Sequence, residues 1–129
     1  MTMLVLGVLL AIAIPGYKDY LIRANKSAAK AMMLEIASRE EQYLMNTGAF
    51  GTLVQLNYTV PTEVSAVFDV TLTTGTNAAS TITALQGLPT FTITVSGKAG
   101  TVQAGYPAAG ATTALSINQF GLKLPLNEW

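Results

Sequence analysis

The side chains that could carry chemistry are few in this chain, and most lie in its first third. The 129 residues include no cysteine and no histidine, which excludes disulfides, thiol catalysis, most zinc sites and histidine base catalysis. Two carboxylates are adjacent, Glu40 and Glu41, but neighbouring residues on a helix point apart and make a poor acid–base pair. The sequence therefore predicts neither an enzyme nor a cofactor or metal site.

The charged residues form two blocks along one predicted helix. The first block contains Lys18, Arg23, Lys26 and Lys30 with Asp19 as its lone acid, and the second contains Glu35, Glu40 and Glu41 with Arg39 as its lone base. One interpretation is a solvated helix face. The other is that parallel helices, staggered by about 20 Å at 1.5 Å per residue, match the basic block of one subunit to the acidic block of the next.

The segment Met1–Tyr43 is the element that must position these charges. No charge precedes Lys18, and a helix that is apolar on every side must lie in lipid or be surrounded by protein. A bilayer span needs about 20 apolar residues, so the run before Pro15 is short for an anchor. Gly7 weakens a helix by about 1 kcal/mol and Pro15 by about 3 kcal/mol. We expect Gly7–Pro15 to be the soft part of the helix, able to kink or extend.

The second part of the helix is amphipathic. Apolar residues, Met32 and Ile36 among them, recur at helical spacing from Tyr17 to Tyr43, and Asn46-Thr47-Gly48 is typical of a helix end. After about Ala28 we expect this stripe to face a sheet, whereas earlier residues have no partner within one small domain. The sequence thus predicts a protruding helix over residues 1–27 and a globular head over residues 28–129.

The remainder of the chain has the alternation of an antiparallel sheet. The predicted strands are Ala66–Thr73, Pro89–Val95, Ala114–Asn118 and a short piece at Leu122–Leu124. One face, which carries Phe91, Ile93 and Val95, can cover the helix, while the Thr-rich face suits water. The fold class is α+β, one helix on a three- to four-stranded meander. The loops Thr74–Leu88 and Thr101–Thr112 have plain compositions, and Asn57-Tyr58-Thr59 matches an N-glycosylation pattern that is common by chance.

These residues resemble a known family. Leu-Gly-Val-Leu-Leu-Ala-Ile-Ala-Ile-Pro-Gly-Tyr-Lys-Asp-Tyr and the later Glu-Ile-Ala-Ser-Arg-Glu-Glu-Gln-Tyr resemble the N-terminal helix of bacterial type IV pilins over Leu6–Phe50. Pro-Thr-Phe-Thr-Ile-Thr-Val and Leu-Ser-Ile-Asn-Gln-Phe-Gly-Leu-Lys-Leu-Pro are similar to pilin head strands and tail. The resemblance implies the type IV pilin fold, a long N-terminal helix packed on a three- to four-stranded antiparallel sheet.

The resemblance also implies a function and a location. The subunit would be held in the inner membrane and then polymerised by the pilus assembly machinery into a helical homopolymer, a methylated fimbrium on the cell surface. Such a filament serves adhesion to host or abiotic surfaces, twitching motility or DNA uptake, and the two surface loops would decide adhesion. The family also loses helicity between the positions matching Gly7 and Pro15 on assembly.

The resemblance assigns roles to three sets of residues. Filament-core packing is implied for Leu4, Leu6, Gly7, Leu9, Leu10, Ile12, Ile14, Pro15, Tyr17, Tyr20, Leu21 and Ala24. Charge pairing between subunits is implied for Lys18, Arg23, Lys26, Lys30, Glu35, Glu40 and Glu41. Tail anchoring is expected of Phe120, Leu124 and Trp129, because the two cysteines that staple the family's C-terminal loop are replaced here, at about Thr112 and Glu128. The family's basic leader, Gly-Phe junction and early acid are absent from the sequence. Either a short stretch of mature chain belongs ahead of Met1, as the alignment on Gly7 and Pro15 suggests, or the chain begins at Met1.

Three other interpretations stay open from the residues. A type II secretion pseudopilin shares the helix, but it often has an acidic calcium-binding loop, and after Phe68 the only acids are Asp69 and Glu128. A membrane-anchored enzyme or small-ligand binding domain lacks catalytic residues or an obvious substrate. DNA binding is a further possibility through Lys98 and Lys123, expected to be exposed, but the net charge is zero and two lysines are a weak patch.

Overall fold

The molecule is one long helix followed by a four-stranded antiparallel sheet. This computed structural model describes residues 2–76, 86–104, 114–126 and 129, with side chains from Tyr17 onward. The elements are α1 (Thr2–Thr47), α2 (Thr62–Ser65), β1 (Phe68–Thr76), β2 (Pro89–Gly97), β3 (Leu115–Asn118) and β4 (Lys123–Leu124). The strands lie in chain order in one sheet. The predicted α+β class and the implied pilin-like arrangement are both confirmed.

The helix α1 ends where the sequence predicts. Gly48 has φ +78°, a conformation open to glycine, and its amide donates a 2.8 Å hydrogen bond to the carbonyl of Leu44. At the other end, the bounds of α1 include both Gly7 and Pro15. Among the described residues, no helix has the length and apolar character needed to cross a membrane.

The sheet register separates an apolar face from a hydroxyl-rich one. In β2 the side chains of Phe91, Ile93 and Val95 are buried, whereas Thr92 between them is exposed. Val70 of β1 pairs with Val95, so the apolar face of β1 continues the apolar face of β2. The alternation predicted for these strands is confirmed, and the apolar face is the one that covers the helix.

The core lies between this apolar face and one side of α1. Met32 and Ile36 are buried as predicted, and Met33 beside Met32 is buried as well. Two adjacent positions of the helix are therefore covered by the head. Phe50, from the segment after the helix, meets Phe91 edge-on with ring centroids 4.8 Å apart, closing this end of the core.

The chain before β1 differs from what the sequence predicts. Thr62–Ser65 forms the short helix α2, which has too few residues to produce a periodic signal. Its last turn continues into Ala66, whose amide bonds to the carbonyl of Thr62, so β1 begins at Phe68 rather than at Ala66. Much of the predicted surface loops, residues 77–85 and 105–113, lies outside the described residues.

Candidate functional site

The last residues of the predicted filament surface, Tyr17 to Ala24, are largely exposed on the isolated chain. Tyr17 and Tyr20 are 64% and 69% exposed, Ala24 is exposed and Leu21 is half-buried. The side chains of the other residues in this predicted set lie outside the described residues, namely Leu4, Leu6, Gly7, Leu9, Leu10, Ile12, Ile14 and Pro15. The described tyrosines are therefore available to a partner, and their packing in a filament stays a prediction.

One residue of the predicted head contacts the helix before residue 28. Gln103 is buried, and its Nε2 donates a 3.2 Å hydrogen bond to the carbonyl of Ile22. Its Oε1 has no hydrogen-bond partner among the described residues. This contact was missed because a glutamine in a loop without periodicity gives no sign of burial. The division into a helix at 1–27 and a head at 28–129 stays a prediction.

One member of the acidic block is already engaged within its own chain. Arg39 donates to Oε1 of Glu35 at 3.0 Å one helical turn away, and the hydroxyl of Tyr58 donates to Oε2 at 3.2 Å. The Arg39 guanidinium also lies 5.0 Å from the Tyr58 ring centroid. Burial raises the pKa of Tyr58, with a further rise from the negative charge of Glu35. This group fastens the segment after the helix to the helix surface.

A second member, Glu40, is not on the surface at all. Its side chain is fully buried, and its Oε2 accepts a 2.9 Å hydrogen bond from the amide of Gly51. Desolvation raises the pKa of this carboxyl, and the hydrogen bond from Gly51 offsets part of that rise. The prediction that Glu40 pairs with a neighbouring subunit is wrong, because the returning chain covers it. Glu41 is exposed and keeps that predicted role.

The C-terminal anchor is Trp129, and the two other predicted anchors are wrong. Trp129 packs against the core, and its Nε1 donates a 3.4 Å hydrogen bond to the carbonyl of Leu124. The Leu124 side chain points to the outer sheet face because Leu124 pairs with Ser116. Phe120 is 66% exposed, since it lies in the β3–β4 turn beyond the edge of the core.

Two lysines flank the Trp129 ring. The Nζ of Lys123 lies 4.9 Å from the ring centroid, and the Nζ of Lys30 lies 6.0 Å from it. Lys30 comes from α1 and Lys123 from β4, so the fold joins cations that are far apart in sequence. We call Lys30, Lys123 and Trp129 the tail cluster. The sequence did not predict this cluster, because no local pattern relates the middle of α1 to the end of the chain.

The predicted exposure of Lys98 and Lys123 is only partly correct. The Lys98 side chain is 43% exposed and its Nζ lies 3.8 Å from a carboxylate oxygen of Asp69. The same Nζ donates a 2.7 Å hydrogen bond to the carbonyl of Ser65, so this lysine joins α2 to the sheet. Lys123 is half-buried against Trp129. Of the two, Lys123 is the one with a cationic neighbour.

The outer face of the sheet carries rows of hydroxyl and amide groups. Across the strands, Thr73, Thr92 and Asn118 form one row, and Thr71, Thr94 and Ser116 form the next. Between Asp69 and Glu128 the sequence has no acid. Groups of this kind donate hydrogen bonds to phosphate oxygens, and lysines neutralise phosphate charge. Asp69 of β1 shares this face with Thr71 and is exposed, whereas β2, β3 and β4 contain no carboxylate. Lys123 pairs with Ile117 of the core face, so the tail cluster lies at the β4 edge and not among the hydroxyl rows.

Comparisons with known proteins gave one match. The family model described as "Type IV minor pilin ComP, DNA uptake sequence receptor" matches residues 15–105. No curated protein and no solved structure matches the chain. The matched range extends from Pro15 of α1 through β2. It includes Lys30 of the tail cluster and ends before β3, β4 and the two other members of the cluster, Lys123 and Trp129.

Proposed function

Because the chain belongs to the type IV minor pilin ComP family, we propose that it is a minor subunit of a type IV pilus that binds duplex DNA for uptake. Membership supports a pilus component on the cell surface, and it gives no support to a type II secretion pseudopilin. A minor pilin is mixed with other pilins, which favours a mixed filament over a homopolymer. The family is a structural one, which agrees with the prediction of no enzyme.

The observation that carries the DNA-binding proposal is the tail cluster at the edge strand β4, next to strands β2 and β3, which contain no carboxylate. Neutralising phosphates releases condensed counterions from DNA, and this release supplies most of the sequence-independent affinity. Lys30 and Lys123 provide two such contacts from one edge of the molecule. The hydroxyl rows on the outer face can hold phosphates without reading bases. A net charge of zero is no obstacle, because steering depends on how charge is distributed.

Assembly through the N-terminal helix is the second part of the proposal. The exposed Tyr17 and Tyr20 would pack against neighbouring pilin helices together with the apolar residues before them. With Glu40 buried and Glu35 engaged, the charge pairs between subunits would join Glu41 of one subunit to Lys18 or Arg23 of another. Before assembly, the pilus machinery would take the subunit from the inner membrane.

DNA binding is tested on the full chain held in non-ionic detergent. Fluorescence anisotropy of a labelled duplex, titrated with salt, gives the affinity and the slope of log K against log salt. The slope is negative, and the double variant Lys30→Ala, Lys123→Ala should make it shallower by about 2, because each phosphate contact contributes about −0.9. Lys18→Ala removes the same kind of charge away from the tail cluster and should bind as the wild type does. Equal slopes for all three proteins would refute the proposed site.

Assembly is tested by labelling an introduced cysteine. Because this chain has no native cysteine, a maleimide can label this subunit only at the introduced position. A cysteine introduced by Tyr20→Cys should react with a maleimide in the free subunit and be protected in intact pili. Val54→Cys is the control, because the native side chain on the head is 88% exposed and a cysteine there reports labelling of the head. Equal labelling at position 20 before and after the pili are dissociated would contradict packing through this helix.

A further inference from the structure

We propose that Phe120, with Leu122 beside it, forms an apolar wedge that inserts between base pairs of the bound duplex. This inference rests on the proposed DNA binding and adds the way in which the duplex is gripped. Phe120 is 66% exposed and Leu122 is 50% exposed. Both lie in the turn between β3 and β4, next in sequence to Lys123 of the tail cluster.

The turn is rigid, which a wedge requires. The Oδ1 of Asn118 accepts hydrogen bonds from the amide of Phe120 at 3.1 Å and from the amide of Leu122 at 3.0 Å. The Gly121 amide donates a 2.9 Å hydrogen bond to the carbonyl of Asn118, and Gly121 has φ +69°, which glycine adopts at little cost. Because these hydrogen bonds already fix its backbone, Phe120 loses little backbone entropy when its ring enters a stack of bases.

The charge around the turn selects nucleic acid as the occupant. Residues 114–126 contain one charged side chain, Lys123, and its Nζ lies with that of Lys30 around Trp129. A duplex whose phosphates meet these two ammonium groups would bring its groove to the β4 edge. Proteins that grip duplexes in this way combine flanking cations with Phe or Leu side chains that unstack one base step.

A second pilin subunit is the competing occupant for the same apolar surface. Such a contact would bury Phe120 against another protein and would need no cations beside it. The two occupants predict different signals. A wedge disturbs base stacking in the DNA, whereas a pilin contact changes self-association and leaves bases stacked.

The test uses the full chain in non-ionic detergent and a duplex with 2-aminopurine, which brightens when its base step unstacks. The wild type should bind and brighten the probe at saturation. Phe120→Ala should weaken binding about tenfold and abolish the brightening, while the salt slope stays that of the wild type. Lys123→Ala should change the salt dependence instead of the brightening: the negative salt slope becomes shallower by about 1, and the probe still brightens at saturation. Val54→Ala removes another exposed apolar side chain and should match the wild type.

Each other outcome overturns the proposal in a recognisable way. Binding by the wild type without brightening at any probe position would refute the wedge and leave DNA binding standing. Brightening that survives in Phe120→Ala would refute the role of this residue. A Phe120→Ala variant that loses self-association and binds DNA normally would assign the turn to a second pilin. Absence of DNA binding by the wild type would refute the wedge together with the proposed function.

Discussion

Glu40 of α1 and Gly51, which follows it by 11 residues just beyond the end of the helix, are joined by a 2.9 Å hydrogen bond from the Gly51 amide to the Glu40 Oε2. Both residues are buried, and the Oε1 of Glu40 has no hydrogen-bond partner in the described part of the chain. The bond fixes the chain as it leaves the helix and brings Phe50 to Phe91. A carboxylate in this setting makes the fold sensitive to pH.

We predict that Glu40 makes the protein less stable as pH rises. Burial raises the pKa of this carboxyl in the folded state. Its contribution to stability is therefore complete below the ordinary pKa of a glutamate, and it is lost as pH rises through the folded-state value. Glu40→Gln keeps an acceptor for Gly51 and cannot ionise, so its thermal unfolding should be less sensitive to pH over this range. Glu41→Gln, which removes an exposed charge next door, should follow the wild type, and a Glu40→Gln variant that does the same would contradict the prediction.

Gly51→Ala should destabilise the head by about 1–3 kcal/mol, the usual cost of overpacking a core. A Cβ at this position would lie 3.0 Å from Cε1 of Tyr43 and 3.3 Å from Cβ of Gln55. Gly75→Ala is the matched control, because the nearest atom to its Cβ would be the Thr90 hydroxyl at 3.9 Å. Circular dichroism melts of both variants decide the matter. Equal melting temperatures would show that the chain around Gly51 can move aside.

The hydrogen bond between Tyr58 and Glu35 should be measurable as a coupling. We expect a double-mutant cycle of Tyr58→Phe and Glu35→Gln to give an interaction of about 0.5–1.5 kcal/mol, the net value of a typical hydrogen bond. Arg39 also contacts Glu35, so the cycle is repeated in an Arg39→Met background. A coupling within error of zero in both backgrounds would mean that water replaces this contact.

Gln103 should tolerate an apolar side chain of its own length better than truncation. Gln103→Met fills the same space and removes the Oε1 that lacks a partner in the described structure, at the loss of one hydrogen bond to Ile22. Gln103→Ala leaves a cavity in addition and should cost about 1–3 kcal/mol more. Thermal unfolding measures the difference, and equal stabilities would show that the site collapses around alanine.

The parts of the fold that follow a period could be predicted from sequence, and those that depend on the chain's return could not. Helical spacing identified Met32 and Ile36, and strand alternation identified Phe91, Ile93 and Val95, because a single buried face imposes its own repeat on the residues.

Burial that depends on distant residues has no such repeat. Glu40 has a charged neighbour on each side in sequence, and only the return of Gly51 shows that it is buried. Phe120 and Trp129 are both tail aromatics, yet one lies in a projecting turn and the other against the core. The tail cluster likewise depends on Trp129 lying near both Lys30 of α1 and Lys123 of β4. These three residues are far apart in the sequence, so no sequence pattern predicted that they form one site.

The most direct test of the account is DNA capture by purified pili. Pili are prepared from cells that carry either the wild-type chain or the Lys30→Ala, Lys123→Ala variant, and equal amounts of pili with equal subunit content are incubated with labelled duplex. We expect wild-type pili to retain the DNA and variant pili to release it at moderate salt. Equal retention by both preparations would contradict the central claim that this subunit binds DNA through its tail cluster.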